Sequence, residues 1–317
     1  MSETATICFQ AEGLTHRYGD RLALDHLSFE VMRGEVFGFL GPNGAGKSTA
    51  FHLLTGLLPL REGRIILNGK PVHPDEWSYR AKLGVVFQKP SVDIQLTARE
   101  NLAFGAALYG IRGEQAGKRI AEVLEFMDLT GRAGGKVAEF SGGMRRRLEV
   151  ARVLLHNPAV LVMDEPAQGL DQATLRRLWE RIRRLCETTG LTVLLTTHHP
   201  EEAEYCDRLL VLDSGRCVAV ETPAALKKQV SDDLIVIDGD GLEAAQAEIE
   251  AALSLKGRVS PEGLLIECPD AHKMVPRVVE AFPRGRFRSV GIRTPTLADV
   301  FARLTGHSLS EAGEGGD

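Results

Sequence analysis

Short apolar runs and helical stretches take turns along this chain. Residues 7–40 read as strands broken by turns at Tyr18-Gly19-Asp20 and Met32-Arg33-Gly34, and 24–31 alternate as a half-buried strand does. A short apolar run, 35–40, stops abruptly at Gly41, and the spacing predicts a helix over 47–57, closed by Gly56 and Pro59. From about residue 89 to 157 the period is mostly helical, with apolar residues three to four apart over 99–108, 116–127 and 144–155. Residues 160–163 read as a second buried strand. Residues 175–186 form an amphipathic helix with Leu175, Leu178, Ile182 and Leu185 on one face, and 191–196 a third strand. A hairpin is predicted around Asp213-Ser214-Gly215, between 209–212 and 216–220.

Strands alternating with helices imply an α/β core around a parallel sheet, here interrupted by a helical insertion. After Thr222-Pro223 the texture changes to strand 234–238, helix 242–253, strands 257–260 and 264–268, helix 271–282, strand 286–292 and a final helix from about 296. That order resembles a small split βαβ sandwich, a second, α+β domain. The expected organisation is residues 1–228 as one domain with its insertion at about 89–157, residues 229–307 as a small accessory domain, and a Gly-rich, acidic, flexible tail over 308–317. The length of 317 residues fits two domains, at about 150 residues each.

With 44% hydrophobic and 26% charged residues the chain is globular rather than disordered or fibrous, and its net charge of −5 speaks against a nucleic-acid partner. Five cysteines, odd in number and without a C-x-x-C pair, argue against a disulfide framework or a zinc site and for a reducing compartment. His198, His199 and Cys206 do not make a metal set, because the third ligand is remote and no carboxylate geometry supports one. The first ten residues, with Glu3, lack the charged-then-apolar order of an export signal. No run reaches the roughly 18 apolar residues that span a bilayer, so no direct membrane insertion is expected.

The chemistry concentrates in two places. Gly41-Pro42-Asn43-Gly44-Ala45-Gly46-Lys47-Ser48-Thr49 fits G-x-x-x-x-G-K-[ST] at every required position, leaving an apolar strand and opening a helix. Its glycines let backbone N–H groups close on the β- and γ-phosphates of a nucleotide, the helix N-terminus adds partial positive charge, Lys47 adds a point charge, and the Ser48 hydroxyl is a candidate Mg2+ ligand. Such a loop also needs a carboxylate on a neighbouring strand. The apolar strand 160–163 ends in Asp164 and Glu165, so Asp164 can hold the magnesium while Glu165, one step on, polarises the attacking water as general base.

Between those motifs lies Phe140-Ser141-Gly142-Gly143-Met144-Arg145-Arg146-Arg147-Leu148, which resembles the signature of ABC transporter ATPases, with Phe140 where leucine is usual. The resemblance covers residues 7 to about 222 in the correct motif order. It implies a P-loop NTPase fold, a RecA-like parallel sheet core with an antiparallel β subdomain and the helical insertion. It implies also a homodimer packed head to tail, each ATP lying between the P-loop of one subunit and Ser141, Gly142, Gly143 and Met144 of the other. That is physically sensible, since the signature opens a second helix N-terminus. By the same resemblance Tyr18 stacks on adenine, Gln88 links magnesium and water to the transport partner, Asp171 signals across the dimer, and His198 contacts the γ-phosphate. Ala167, where threonine is common, is a tuning change at most. Arg145, Arg146 and Arg147 are placed by the resemblance where basic residues can serve the dimer interface, and Arg176, Arg177, Arg181, Arg183 and Arg184 read as a solvated helix face.

The partner implied is a separate integral-membrane permease, which would hold this chain in the cytoplasm, peripheral on the inner face of the cell membrane. Gln88-Lys89-Pro90-Ser91, the stretch after the last core strand (Thr197-His198-His199-Pro200-Glu201-Glu202-Ala203-Glu204), and Thr294-Pro295-Thr296-Leu297-Ala298-Asp299-Val300-Phe301 together look like the ATPases of bacterial multidrug and daunorubicin-resistance-type exporters. Alternatives are a non-transport ATPase of the same superfamily, or export of a polysaccharide or lipid. A GTPase would carry an Asn-Lys-x-Asp motif, and none is present. A DNA-repair relative would need long heptad arms between the two motifs, a translation-factor relative two complete motif sets, and a non-catalytic binding module would be expected to lack Glu165 or Ser141.

Overall fold

All five residues of the run that precedes Gly41 are buried, and they form the strand about which the first part of the chain is built. The computed structural model describes residues 6–309 except 231, 232, 261, 269 and 284, and separates them into one unit ending at Glu221 and another spanning Thr222–Ser308. The first unit runs β1 (Ile7–Tyr18), β2 (Arg21–Met32), β3 (Val36–Leu40), α1 (Lys47–Thr55), β4 (Glu62–Leu67), β5 (Lys70–Val72), α2 (Trp77–Arg80) and β6 (Leu83–Val86). It continues with α3 (Ala98–Leu108), α4 (Gly113–Phe126), α5 (Gly142–Val153), β7 (Val160–Asp164), α6 (Gln172–Thr189), β8 (Thr192–Thr197), α7 (Pro200–Ala203), β9 (Arg208–Asp213) and β10 (Arg216–Glu221).

Six strands form the central sheet in the order β10-β9-β3-β8-β7-β6, parallel except for β10 at the edge. Strands β3, β7 and β8 are buried at every position, as parallel strands covered on both faces are. A second, antiparallel sheet, β2-β1-β4-β5, packs against it through aromatic rings: Phe29 of β2 lies 5.6 Å from Phe37 and 5.0 Å from Phe39 of β3. Helix α6 buries Leu175, Leu178, Trp179, Ile182 and Cys186 along one stripe and stops at Gly190 in the left-handed conformation. Helices α3, α4 and α5 form the insertion, with α3 opened by a capping box between Thr97 and Glu100.

Strands β4, β5 and β6 were not anticipated by the hydrophobic pattern. The hairpin β4–β5 did carry a local signal: Asn68 and Gly69 both have positive φ (50° and 72°), the backbone that an Asn-Gly hairpin turn requires. Strand β6 is four residues long and is interrupted by Gly84, so it shows no continuous apolar run.

The second unit runs α8 (Pro223–Lys228), β11 (Leu234–Asp238), α9 (Leu242–Leu253), β12 (Gly257–Ser260), β13 (Gly263–Glu267), α10 (Ala271–Ala281), β14 (Ser289–Arg293) and α11 (Leu297–Thr305). Its sheet is antiparallel in the order β12-β13-β11-β14, the split βαβ arrangement. Ile235, Ile237, Leu264 and Ile266 bury one sheet face against Ala245, Ile249 and Val278 of the helices. Residues 310–317 of the expected tail lie outside the described residues. Among the described residues no helix is long and apolar enough to cross a membrane.

Candidate active site

Strands β3, β8, β7 and β6 are consecutive neighbours, and their carboxyl ends line up at one edge of the sheet, where open α/β sheets bind ligands. Leu40 pairs with Thr197, Asp164 with Thr196, and Val86 with Met163. That register brings the loop 41–46, Asp164, Glu165, His198 and Gln88 to one place, because each follows or ends one of these strands.

The loop is shaped by glycine. Gly46 has φ 104°, and a Cβ there would sit 2.6 Å from the carbonyl oxygen of Ala23, so both conformation and space demand glycine. The Lys47 side chain folds back and donates to the carbonyls of Gly41 (2.6 Å) and Pro42 (2.8 Å). Burial lowers its pKa to about 8, against the opposing charges of Glu165 and Asp164. Pro42, Asn43, Gly44 and Ala45 fill the turn, Ser48 and Thr49 follow Lys47 in the first turn of α1, and Ser48 is exposed at the loop. Tyr18 ends β1, is 49% exposed, and meets His16 edge-on at 4.7 Å. It pairs with Arg21, whose guanidinium reaches to 3.8 Å from the space a Cβ on Gly44 would occupy, so the β1–β2 turn flanks the loop.

Thr196 organises the two acids. Its hydroxyl donates to Asp164 Oδ1 and accepts from the Glu165 amide at 3.2 Å, while its carbonyl accepts from the same amide at 3.1 Å. These bonds hold Glu165 at φ 44°, a left-handed conformation that costs about 1–3 kcal/mol for a residue with a Cβ. The turn aims its carboxylate away from Asp164 and between two donors, Gln88 Nε2 at 3.1 Å and His198 Nδ1 at 2.9 Å. The His198 hydrogen bond holds the Glu165 pKa down, so it is ionised as a base must be. Burial raises that of Asp164.

A second locus forms at the start of α5. Ser141 is its N-cap, accepting from the Met144 amide at 3.3 Å, and Asp171 caps α6, accepting from the amide (2.9 Å) and hydroxyl (2.7 Å) of Thr174. The two caps adjoin: a Cβ on Gly143 would lie 2.4 Å from Thr174, and one on Gly142 3.5 Å from the Gly169 carbonyl.

Comparison with known proteins fits this arrangement. Residues 24–168 match the family described as ABC transporter. The chain is 41% identical to the Nod factor export ATP-binding protein I of Burkholderia thailandensis over 93% of its length and 96% of that protein's. It is 39% identical to the daunorubicin resistance ATP-binding protein DrrA2 of Streptomyces coeruleorubidus, over 94% of this chain and 95% of that one. This chain belongs to the ABC transporter ATP-binding family. Among solved structures it resembles the dimeric post-hydrolysis state of an ATP-binding cassette bound to ADP and Pi, with a TM-score of 0.60 and 28% identity over 68% of this chain and 98% of that one. As an ABC ATPase it binds and hydrolyses ATP, works with membrane permease components and forms dimers.

Two expectations about arginines are corrected. Arg146 of the ABC signature does not face a partner: it is buried and donates to the carbonyls of Phe87 (2.7 Å), Pro166 (3.2 Å) and Asp164 (3.2 Å) and to Glu149 (3.1 Å). Arg145 and Arg147 also bond within the subunit, to Ala138 and to Met127 and Asp128, but stay partly exposed, so the correction concerns Arg146 alone. The α6 arginines are not all solvated either, since Arg183 pairs with Asp207 and Arg181 reaches the Phe126 carbonyl. Sequence reasoning missed Thr196, Arg21 and Arg146. Thr196 was legible in principle as a hydroxyl residue ending a buried strand; nothing local marked Arg146.

Lys47 supplies a pH test of the ABC nucleotide site. As pH rises through about 8 the free protein progressively loses the Lys47 proton, while bound phosphates favour the ammonium, so ATP binding takes up a proton. Affinity should therefore fall as pH rises beyond 8, by up to about tenfold per unit. Titration with a fluorescent ATP analogue between pH 7 and 9.5 should show this slope, and affinity flat to pH 9.5 would contradict it.

Proposed function

We propose that this ABC ATPase is the motor subunit of an exporter of drugs or other small, hydrophobic compounds, hydrolysing ATP at composite sites of a head-to-tail homodimer. The observation that carries the catalytic reading is the Glu165 carboxylate, fixed between Gln88 and His198 beside the Lys47 loop. Glu165 takes the proton of the attacking water. His198, half-buried 2.9 Å from Glu165, orients that carboxylate and reaches the γ-phosphate. Gln88 couples the water to whatever moves its loop. Tyr18 stacks on the adenine, and loop residues 41–49 hold the phosphates.

Magnesium fits the residues present. Ser48, Gln88 and Asp164 offer hard oxygen donors, and one Asp164 oxygen is already fixed by Thr196. Among the described residues no cluster of three His, Cys, Asp or Glu could hold a metal alone. A single carboxylate plus nucleotide oxygens is the set magnesium takes with phosphates, and the ion supplies charge neutralisation at the β- and γ-oxygens.

Export follows the relatives, one named for Nod factor export and one for daunorubicin resistance. The permease would place the chain on the cytoplasmic face of the membrane. A groove of about 290 Å3, lined by Phe87, Leu108 and Tyr109, lies beside Gln88, and Leu108 is 63% exposed. With Phe104 (61% exposed) and Tyr109 (38%) it makes an exposed apolar surface, which we assign to the permease. Residues from Thr222 onward form an accessory unit. Residues 1–228 remain our reading of the ATP-binding domain.

Two experiments test these readings. Ser141→Arg should leave monomer affinity for a non-hydrolysable ATP analogue unchanged and abolish nucleotide-dependent dimers in light scattering, because one cation blocks two symmetry-related sites. Dimers that persist would contradict the trans arrangement. Leu108→Asp should keep the ATPase rate of the isolated chain but remove it from membranes containing the permease. Unchanged membrane recovery would reject the groove.

A further inference from the structure

A cavity of about 560 Å3 is lined by none of the residues of the nucleotide site. The insertion lines one side, with Glu122, Val123 and Phe126 from α4 and Leu154 following α5. Core residues line the other, among them Cys8 of β1, Pro158 and Ala159 before β7, and Leu185 and Thr189 of α6. Its volume falls in the range that takes one small organic molecule, about 300–1,000 Å3, and its walls are mainly apolar with a few polar groups.

Those polar groups differ in what they have left to give. Arg119 uses its donors on the carbonyls of Leu155 (3.1 Å) and Leu154 (2.6 Å) and on Asn157, and also meets Glu122 at 3.0 Å. The Glu122 charge is thereby offset. Arg33 is different: its backbone amide bonds to Thr6, but among the described residues its guanidinium has no hydrogen-bond or ion-pair partner. It lies against Gly190, where an added Cβ would sit 3.1 Å from Nε, and so stays at the wall of the cavity. Among the described residues, the cavity wall thus offers a ligand one unpaired cation beside a mainly apolar chamber.

We propose that this cavity binds a small amphipathic anion, an apolar ring or chain carrying one carboxylate, sulfonate or phosphate group paired with Arg33. Bound there, the ligand touches α4 of the insertion and α6 of the core together, and ties the two parts of the ATPase to one another. A guanidinium engages such oxyanions by charge-assisted, often bidentate hydrogen bonds, while the apolar body is removed from water.

The test uses two probes with related aromatic bodies, the anionic 8-anilinonaphthalene-1-sulfonate and the neutral N-phenyl-1-naphthylamine. Each is titrated by fluorescence into the full chain saturated with a non-hydrolysable ATP analogue, so that the nucleotide site is filled. Both probes should saturate with about one high-affinity equivalent. Arg33→Gln should weaken the sulfonate about tenfold and leave the neutral probe within about twofold. Thr189→Trp, at an exposed cavity-lining position near the end of a helix, should remove high-affinity binding of both while the ATPase rate shows the chain still folded. Retention of both probes by Thr189→Trp would show that they bind elsewhere and overturn the site. An Arg33→Gln chain that binds the sulfonate as wild type, or loses both probes equally, would overturn the assigned charge preference.

Discussion

One hydroxyl, that of Thr196, fixes the geometry on which the ATPase site depends. It lies in register with Asp164 on the neighbouring strand, donates to that carboxylate and accepts from the amide of Glu165. Asp164 is thus held to the sheet while Glu165 is turned out of it. Successive residues of a strand point to opposite faces, so two consecutive acids would diverge in any case. The positive φ at Glu165 adds the particular direction that places its carboxylate between Gln88 and His198. A slip of one residue between β7 and β8 would exchange the directions of the two acids.

The second constraint is the buried Arg146. It leaves the signature helix α5 and reaches the carbonyl of Phe87, immediately before Gln88, and those of Asp164 and Pro166, which flank Glu165. Glu149, one turn on, accepts from Arg146 and from the amide of Ser91. A single buried ion pair therefore connects the helix that opens at Ser141 to both sides of the catalytic strand end. Breaking such a pair by removing one partner typically costs about 3–5 kcal/mol, because the other charge and its carbonyls remain buried. The same network gives a physical route by which the position of the signature helix and the aim of Glu165 depend on one another.

The phosphate loop, the strand ending in Asp164 and Glu165, the signature and the split βαβ order of the second unit were all readable, because each rests on local spacing or on a buried apolar run. Motif order alone singled out Gln88 and His198; their convergence on one carboxylate is a product of strand order, which a single sequence does not display. The short strand β6 escaped because Gly84 interrupts it, so it lacks the continuous apolar run that marked 160–163. Arg146 was misread for a different reason. A run of three arginines looks like exposed charge, and only the tertiary acceptors at Phe87, Asp164 and Pro166 make burial of the middle one possible.

The account stands on Glu165 as the group that activates water, and single-turnover hydrolysis by Glu165→Gln tests it most directly. The amide preserves shape but cannot take a proton, and its NH2 replaces one of the two acceptor oxygens that face Gln88 and His198. ATP should bind with nearly wild-type affinity and be cleaved about 10²–10⁴-fold more slowly. Cleavage of bound ATP at close to the wild-type rate would show that another group activates the water and would contradict the account.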